Sequence, residues 1–193
     1  TVVDLSHCFT PFINQVKGEL REINPDVGLI LNNVTDFPTY ATGSAEQEAV
    51  YIEVWSPIND YRDLKTLIDK AKFHAGEKQV ILAAYLPSFG AGSIYSQNEA
   101  ENGALITMAA IFANGAYHLL IGEDRKVLTE GYYPNYGKMS PEFTRRVRSY
   151  YDFIVRYREL LFSSELLDLT FTHCGGYNTE IGRDNEFEFE KEG

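Results

Sequence analysis

The feature that most constrains this chain is the alternation of short apolar runs with amphipathic helical segments. The apolar runs have the length of buried strands, and they cover residues 27–31, 49–55, 79–86 and 117–121. Apolar residues at helical spacing predict long helices over residues 6–22, 61–71, 98–113 and 140–162. A further brief helix is expected between residues 35 and 44. Strands that alternate with helices are joined by right-handed crossovers, which place the strands side by side in a parallel sheet.

Four such units fit half of an eight-stranded (β/α)8 barrel or most of a doubly wound sheet. Neither of the glycine motifs that bind nucleotide phosphates, G-x-G-x-x-G and G-x-x-x-x-G-K-[ST], follows any predicted strand. We therefore predict an α/β fold in which residues 1–162 form half of a TIM-like barrel. Beyond residue 162 the pattern changes to short alternating stretches, 169–172 and 187–190. These predict that residues 163–193 are a linker and the start of an antiparallel β domain.

Charge and composition exclude several classes of partner. The chain has a formal net charge of −11, whereas nucleic acids and anionic membranes are bound by clusters of Lys and Arg. No apolar run reaches transmembrane length, so we expect neither a nucleic-acid partner nor membrane insertion. Cys8 and Cys174 are too few for a disulfide framework. One bridge between them is possible, and two unpaired, buried thiols are the favoured interpretation.

Histidines and serines give no sign of a metal site or of a serine nucleophile. The histidines at 7, 74, 118 and 173 lack metal-ligand spacing, and no serine lies in a G-x-S-x-G elbow. His118, on the fourth predicted strand, is best explained as a core residue with satisfied hydrogen bonds. The sequence therefore predicts no cofactor, although a calcium site built from scattered oxygen ligands stays open.

One carboxylate, Glu53, lies near the end of the second apolar run, residues 49–55. Burying an ionised Glu is costly unless the side chain is paired, hydrogen-bonded or open to a site. In parallel α/β folds, sites are built at the carboxyl ends of the strands. Glu53 is thus the first candidate for chemistry. From composition alone, a structural ion pair with Lys or Arg explains it equally well.

Amides and aromatic rings lie at the predicted strand ends, at Asn32, Asn33, Trp55 and Tyr85. Such a mouth suits a sugar, because amides bind hydroxyl groups and aromatic faces pack against pyranose rings. Glycoside hydrolysis also needs two carboxylates, one to protonate the leaving oxygen and one to attack or to activate water. Glu53 suits the first role, since an apolar strand end favours the protonated form of a carboxyl group. Packing for Trp55 and a turn cap for the asparagines remain open alternatives.

Six stretches of the sequence resemble one enzyme family. They are VDLS at 3–6, LILNN at 29–33, YIEVWSP at 51–57, LAAY at 82–85, ANGAYHLL at 113–120 and LTEGYY at 128–133. Together they resemble glycoside hydrolase family 66, which comprises endo-dextranases and cycloisomaltooligosaccharide glucanotransferases. The resemblance covers residues 1–162 and is greatest to streptococcal-type dextranases. Its most specific parts are the Glu-Val-Trp and Ala-Asn-Gly blocks.

The resemblance implies a (β/α)8 barrel that cleaves α-1,6 linkages of dextran with retention of configuration. Counting the predicted strands as the fifth to eighth puts Glu53 on the sixth, in the position of the family's general acid/base. The family's nucleophile is an Asp at the end of the fourth strand, which would precede Thr1. Asp4 is too close to the first helix to replace it. The rest of the same polypeptide is thus an expected partner, and the 193-residue chain alone is expected to be inactive.

The same resemblance implies a substrate, its contacts and a location. Substrate-binding positions are expected at Trp55, Asn33, Tyr85, Asn114, Glu130 and Tyr132. A loop residue such as Glu130 is otherwise simply solvated. The expected ligand is an α-1,6-glucan or an isomaltooligosaccharide, and the expected location is extracellular, secreted from a bacterium or bound to its cell wall. A cyclising transglycosylase is the alternative within the family, and a non-catalytic glycan-binding homologue is the alternative outside it.

Overall fold

The computed structural model describes residues 2–122, 124, 126–129, 137–163 and 165. Its helices are α1 (Phe9–Ile23), α2 (Thr39–Thr42), α3 (Tyr61–Ala75), α4 (Gln97–Ala113), α5 (Pro141–Arg156) and α6 (Arg158–Leu161). Its strands are β1 (Ile30–Val34), β2 (Ala49–Glu53), β3 (Gln79–Ala83), β4 (Tyr117–His118), β5 (Lys126–Val127) and β6 (Gly137–Lys138). Single 3-10 turns lie at Ser6–Cys8 and Pro87–Phe89. The order of elements through β4 follows the alternation predicted from the sequence.

Strands β1 to β4 form one parallel sheet in chain order, which confirms the predicted parallel α/β arrangement. In register, Val34, Glu53 and Ala83 lie side by side across β1, β2 and β3. A doubly wound sheet reverses its strand order at a switch point, whereas these four strands run in sequence. Among the described residues, β1 and β4 each pair along one edge only.

One face of the sheet is packed and the other is partly open. Alternate strand residues such as Ile52 and Leu82 are fully buried in the hydrophobic core. The helix residues of the same core include Leu67, Ile68, Met108, Ile111 and Phe143. Each large apolar side chain buried in this way contributes about 1.5–3 kcal/mol. On the opposite face, Ile30 and Val34 of β1 are 56% and 46% exposed.

The long helices that follow β2, β3 and β4 each begin at a polar cap. Asp60 caps α3 and Ser96 caps α4, each in a reciprocal capping box. Ser140 caps α5 by accepting the backbone N–H of Phe143 at 3.0 Å. Its hydroxyl also donates to the carboxylate of Glu101 on α4, at 2.9 Å. Asp60 and Ser140 thus begin two of the helices that the apolar spacing predicts, those over 61–71 and 140–162.

Strand β1 begins three residues later than predicted and runs through both asparagines. The carboxylate of Glu48, just before β2, fixes this start. It accepts the backbone N–H of Leu29 and, at 2.6 Å, the Nζ of Lys17, a side chain of α1 that is only 4% exposed. The hydrogen bond from Lys17 holds the pKa of Glu48 below its usual range. Ile30 then pairs with Ala49, where β2 begins.

Three further predictions differ from the structure. The thiol of Cys8 is free and exposed rather than buried, because it lies in a 3-10 turn that has no buried residue. The predicted loop 122–139 contains a short antiparallel ladder, in which β5 pairs with β6. The predicted helix 140–162 is divided at Tyr157 into α5 and α6.

Some predictions fall outside the described residues. These include Cys174 and, apart from residues 163 and 165, the predicted β domain over 163–193. Within the described part of the chain, no helix combines the length and the apolarity needed to cross a membrane.

Candidate active site

Glu53 ends β2 at the carboxyl edge of the sheet and is only 4% exposed. Its Oε1 accepts a hydrogen bond from the phenol of Tyr85 at 2.6 Å. Its Oε2 lies 3.5 Å from the amide Nδ2 of Asn32, at the limit of a hydrogen bond. Among the described residues, the partners of this carboxylate are thus a neutral phenol and a neutral amide, not the Lys or Arg of a structural ion pair.

Two tyrosines lie near Glu53 on the sheet. Tyr51 lies two residues before Glu53 on β2, so both side chains project from the same face. The phenol of Tyr85 donates its proton to Glu53. Burial raises the pKa of both phenols, and the hydrogen bond to Glu53 raises that of Tyr85 further. Both tyrosines therefore stay protonated near neutral pH.

Trp55 lies next to this group, beside a cavity. Its ring meets the ring of Tyr85 edge to face, with centroids 5.8 Å apart and an interplanar angle of 63°. Both rings line a cavity of about 630 Å³, whose lining also includes Asn59 and Asp60. This volume lies within the range of small-ligand sites. The structure thus brings Trp55, Tyr85 and Glu53 together at one end of the sheet.

Asn33 lies on the other face of β1, away from Glu53. It is fully buried, where its Nδ2 donates to the backbone oxygen of Tyr51 at 2.9 Å and its Oδ1 accepts from the hydroxyl of Thr42 at 2.6 Å. These contacts tie β1 to β2 and α2. Asn32 takes the place beside Glu53, because successive side chains of a strand project to opposite faces. The pairing of Val34 with Glu53 places Asn32, two residues before Val34, on the face of Glu53, and that register is given by the structure.

Asn114 is also distant from Glu53. It caps the carboxyl end of α4, where its Nδ2 donates to the backbone oxygen of Ala110 at 2.7 Å. Because α4 leads into the start of β4, Asn114 lies at the opposite end of the parallel strands from Glu53. The structure therefore gives it a helix-capping contact.

The remaining candidate residues do not add to the described site. Glu130 and Tyr132 lie outside the described residues. Asp4 is exposed at the start of the chain, where its carboxylate accepts the backbone N–H of Ser6 at 2.8 Å. The described residues also contain no group of three or more His, Cys, Asp and Glu side chains that could hold a metal ion.

His118 is fully buried on the packed face of β4 and contacts the segment between β3 and Tyr85. Its Nε2 lies 2.8 Å from the backbone oxygen of Ala84. Because a carbonyl can only accept, Nε2 carries the proton. Nδ1 has no hydrogen-bond partner among the described residues. His118 is thus a core residue, as predicted, with only one of its two ring nitrogens satisfied.

We expect His118 to make the fold sensitive to acid. Burial lowers the pKa of its imidazole from 6.5 to about 4, so the native state holds the neutral form. Below pH 6.5 the imidazole is protonated in the unfolded chain, whereas in the native state it stays neutral down to about pH 4. Stability therefore falls as pH falls through this window. The free energy of unfolding decreases by about 3 kcal/mol at most. Thermal melts between pH 7 and pH 4 measure it.

The matched variants are His118→Gln, which keeps a donor for Ala84, and His7→Gln, which changes an exposed ring. His118→Gln should show a flatter decline of melting temperature with acid, and His7→Gln should follow the wild-type curve. Equal declines for His118→Gln and wild type would contradict the assignment.

Comparison with known proteins gives relatives and a solved neighbour. Two relatives are cycloisomaltooligosaccharide glucanotransferases from Niallia circulans. One is 34% identical over 109 residues, covering 53% of this chain, and the other is 29% identical over 122 residues, covering 60%. The matches span 11% and 12% of the relatives' own length, so this chain corresponds to a small part of each.

The solved neighbour supports the fold. It is the crystal structure of a cycloisomaltooligosaccharide glucanotransferase from Paenibacillus sp., complexed with cycloisomaltoheptaose. It superposes with a TM-score of 0.71 at 18% identity, covering 83% of this chain and 41% of the solved one. At this identity, the similarity establishes a shared fold.

Membership of a family follows from a match along most of the chain. Residues 1–172 match the family described as Glycosyl hydrolase family 66. This range includes Glu53, Tyr85, Trp55 and all four strands of the parallel sheet. The chain therefore belongs to glycosyl hydrolase family 66.

Proposed function

We propose that this chain supplies the general acid/base, Glu53, of a retaining enzyme that cleaves α-1,6-glucosidic linkages in dextran. The observation that carries the proposal is the position of Glu53. It is a buried carboxylate at the carboxyl edge of a parallel sheet, and its partners among the described residues are neutral. A structural Glu in such a place is normally paired with a cation. A catalytic one needs a carboxyl group that can gain and lose a proton.

The proposed reaction has two steps. In the first, Glu53 gives its proton to the glycosidic oxygen while a second carboxylate attacks the anomeric carbon, so that the sugar becomes bound to the enzyme. In the second, Glu53 takes a proton from water, which attacks the same carbon and releases the product. The two inversions give net retention. The family resemblance assigns the nucleophile to an Asp outside this sequence.

We also propose that the sheet is half of a closed (β/α)8 barrel. Its four strands run parallel in chain order with helices on one face, and among the described residues both outer edges are unpaired. The backbone groups of an unpaired edge can pair with further strands, which would also cover exposed apolar side chains such as Ile30. Four more strands would pair both edges and bring the second carboxylate to the mouth where Glu53 lies.

The nature of the acceptor distinguishes the two activities known in the family. We propose hydrolysis, because the strand-to-helix connections over 54–60 and 84–96 are too short to contain an inserted sugar-binding module. Cyclisation is the second candidate, since both relatives from Niallia circulans are glucanotransferases. In a cyclising enzyme, the far end of the bound glucan replaces water in the second step.

Products from dextran test the proposed hydrolysis. The complete enzyme should release linear isomaltooligosaccharides, each with one reducing end, in amounts that match the bonds cleaved. Mass spectrometry separates these from cyclic products, which weigh one water less and have no reducing end. Predominantly cyclic products would show that the enzyme is a cyclising glucanotransferase rather than a hydrolase. The absence of any cleavage would rule out both activities.

A further inference from the structure

We propose that Tyr85 is a positioning residue that orients Glu53 and stabilises the carboxylate formed when Glu53 gives up its proton. The inference rests on the proposed function, since it concerns the same carboxyl group. It is carried by the 2.6 Å hydrogen bond from the phenol of Tyr85 to Oε1 of Glu53. The sequence alone predicts that Tyr85 contacts the substrate. In the structure the hydroxyl group of Tyr85 donates to the carboxylate of Glu53.

The two oxygens of Glu53 are held unequally. Oε1 accepts the short bond from Tyr85, whereas the partner of Oε2 within the described part of the chain is the amide of Asn32 at 3.5 Å. A bond of 2.6 Å is typical of a hydroxyl donor to a carboxylate, and one of 3.5 Å is marginal. Oε1 is therefore the fixed oxygen, and Oε2 is the one available to carry the proton to the glycosidic oxygen.

The hydrogen bond from Tyr85 gains strength as the reaction proceeds. The proton moves from Oε2 of Glu53 to the glycosidic oxygen, which keeps the electron pair of the breaking carbon–oxygen bond. Negative charge then develops on a carboxylate that is only 4% exposed to water. A hydrogen bond to an ionised acceptor is roughly twice as strong as one between neutral groups. An interaction that strengthens in the transition state accelerates the reaction.

The direction of this donation follows from the chemistry of the phenol. Tyr85 has a single phenolic proton, and the 2.6 Å bond directs it at Oε1 of Glu53. The raised pKa of Tyr85 keeps its proton on the phenol throughout the reaction.

The variant Tyr85→Phe tests the proposal with two substrates that differ in their leaving groups. Dextran needs a proton on its leaving sugar oxygen, whereas 2,4-dinitrophenyl α-isomaltoside releases an anion that leaves without one. We expect kcat/KM on dextran to fall about ten- to hundredfold, the value of one charge-assisted hydrogen bond. On the aryl glycoside kcat/KM should be nearly unchanged.

The aryl glycoside also reports folding, because a misfolded variant loses both activities. Equal losses on both substrates, or no loss on dextran, would overturn the positioning role. Tyr157→Phe is the matched control, because its half-exposed phenol follows α5, away from Glu53, and should leave both rates unchanged. Glu53→Gln separates the positioning role of Tyr85 from the proposed function of Glu53. If Glu53→Gln cleaves dextran at the wild-type rate, the proposed function is wrong. If Glu53→Gln loses activity but Tyr85→Phe keeps the wild-type kcat/KM on dextran, only the positioning role is wrong.

Discussion

Replacing Glu53 with Gln in the complete enzyme is expected to lower kcat/KM for dextran by about 10²–10⁴-fold. Gln has nearly the same shape as Glu, and its amide oxygen can still accept the hydrogen bond from Tyr85. It has no proton to give to the leaving oxygen, so the loss reports the general-acid step rather than a change of fold. The release of reducing ends from dextran measures this loss.

The matched control for this variant is Glu77→Gln. Glu77 is exposed between α3 and β3, at the opposite end of the strands from Glu53. Its replacement removes one negative charge in the same way and should leave the rate on dextran unchanged. A Glu53→Gln enzyme with a rate close to that of the control would exclude Glu53 as the general acid/base.

The 193-residue chain by itself is expected to show no turnover of dextran. Glycoside hydrolysis needs a second carboxylate on the far side of the anomeric carbon. The family resemblance gives that group to strands outside this sequence. The sheet described here also leaves one face partly open, so a bound glucan would remain exposed to water. Dextran cleavage by the purified chain, measured over many hours, tests this expectation.

The comparison for this experiment is the complete enzyme at the same molar concentration. Circular dichroism of the isolated chain should accompany it, so that the absence of turnover can be assigned to a folded or an unfolded chain. Clear turnover by the chain alone, abolished by Glu53→Gln, would show that both carboxylates lie within these 193 residues. That result would reject the proposed half barrel.

Much of the fold could be predicted because local signals and packing agree. The apolar runs around Ile52 and Leu82 form the strands of the packed core, and the polar residues Asp60 and Ser140 start the helices that the pattern predicted. Glu53 was identifiable for a related reason. A lone carboxylate in an apolar run is costly, so its presence needs an explanation in any fold.

The contacts that shape the site were not readable in the same way. The choice between Asn32 and Asn33 depends on where β1 begins, and that start is fixed by Glu48 and Lys17 from other elements. A one-residue change of register exchanges the two faces of a strand. The hydrogen bond from Tyr85 to Glu53 joins two strands through side chains 32 residues apart. No periodicity in the sequence predicts such a pair.

The ion pair of Lys17 and Glu48 has a consequence for the neighbourhood of Glu53. Glu48 also accepts the backbone N–H of Leu29, so the pair joins α1 to the segments that lead into β1 and β2. These two strands carry Asn32 and Glu53. A substitution on α1 that breaks the pair is therefore expected to change the polar surroundings of Glu53, although neither charged residue contacts it.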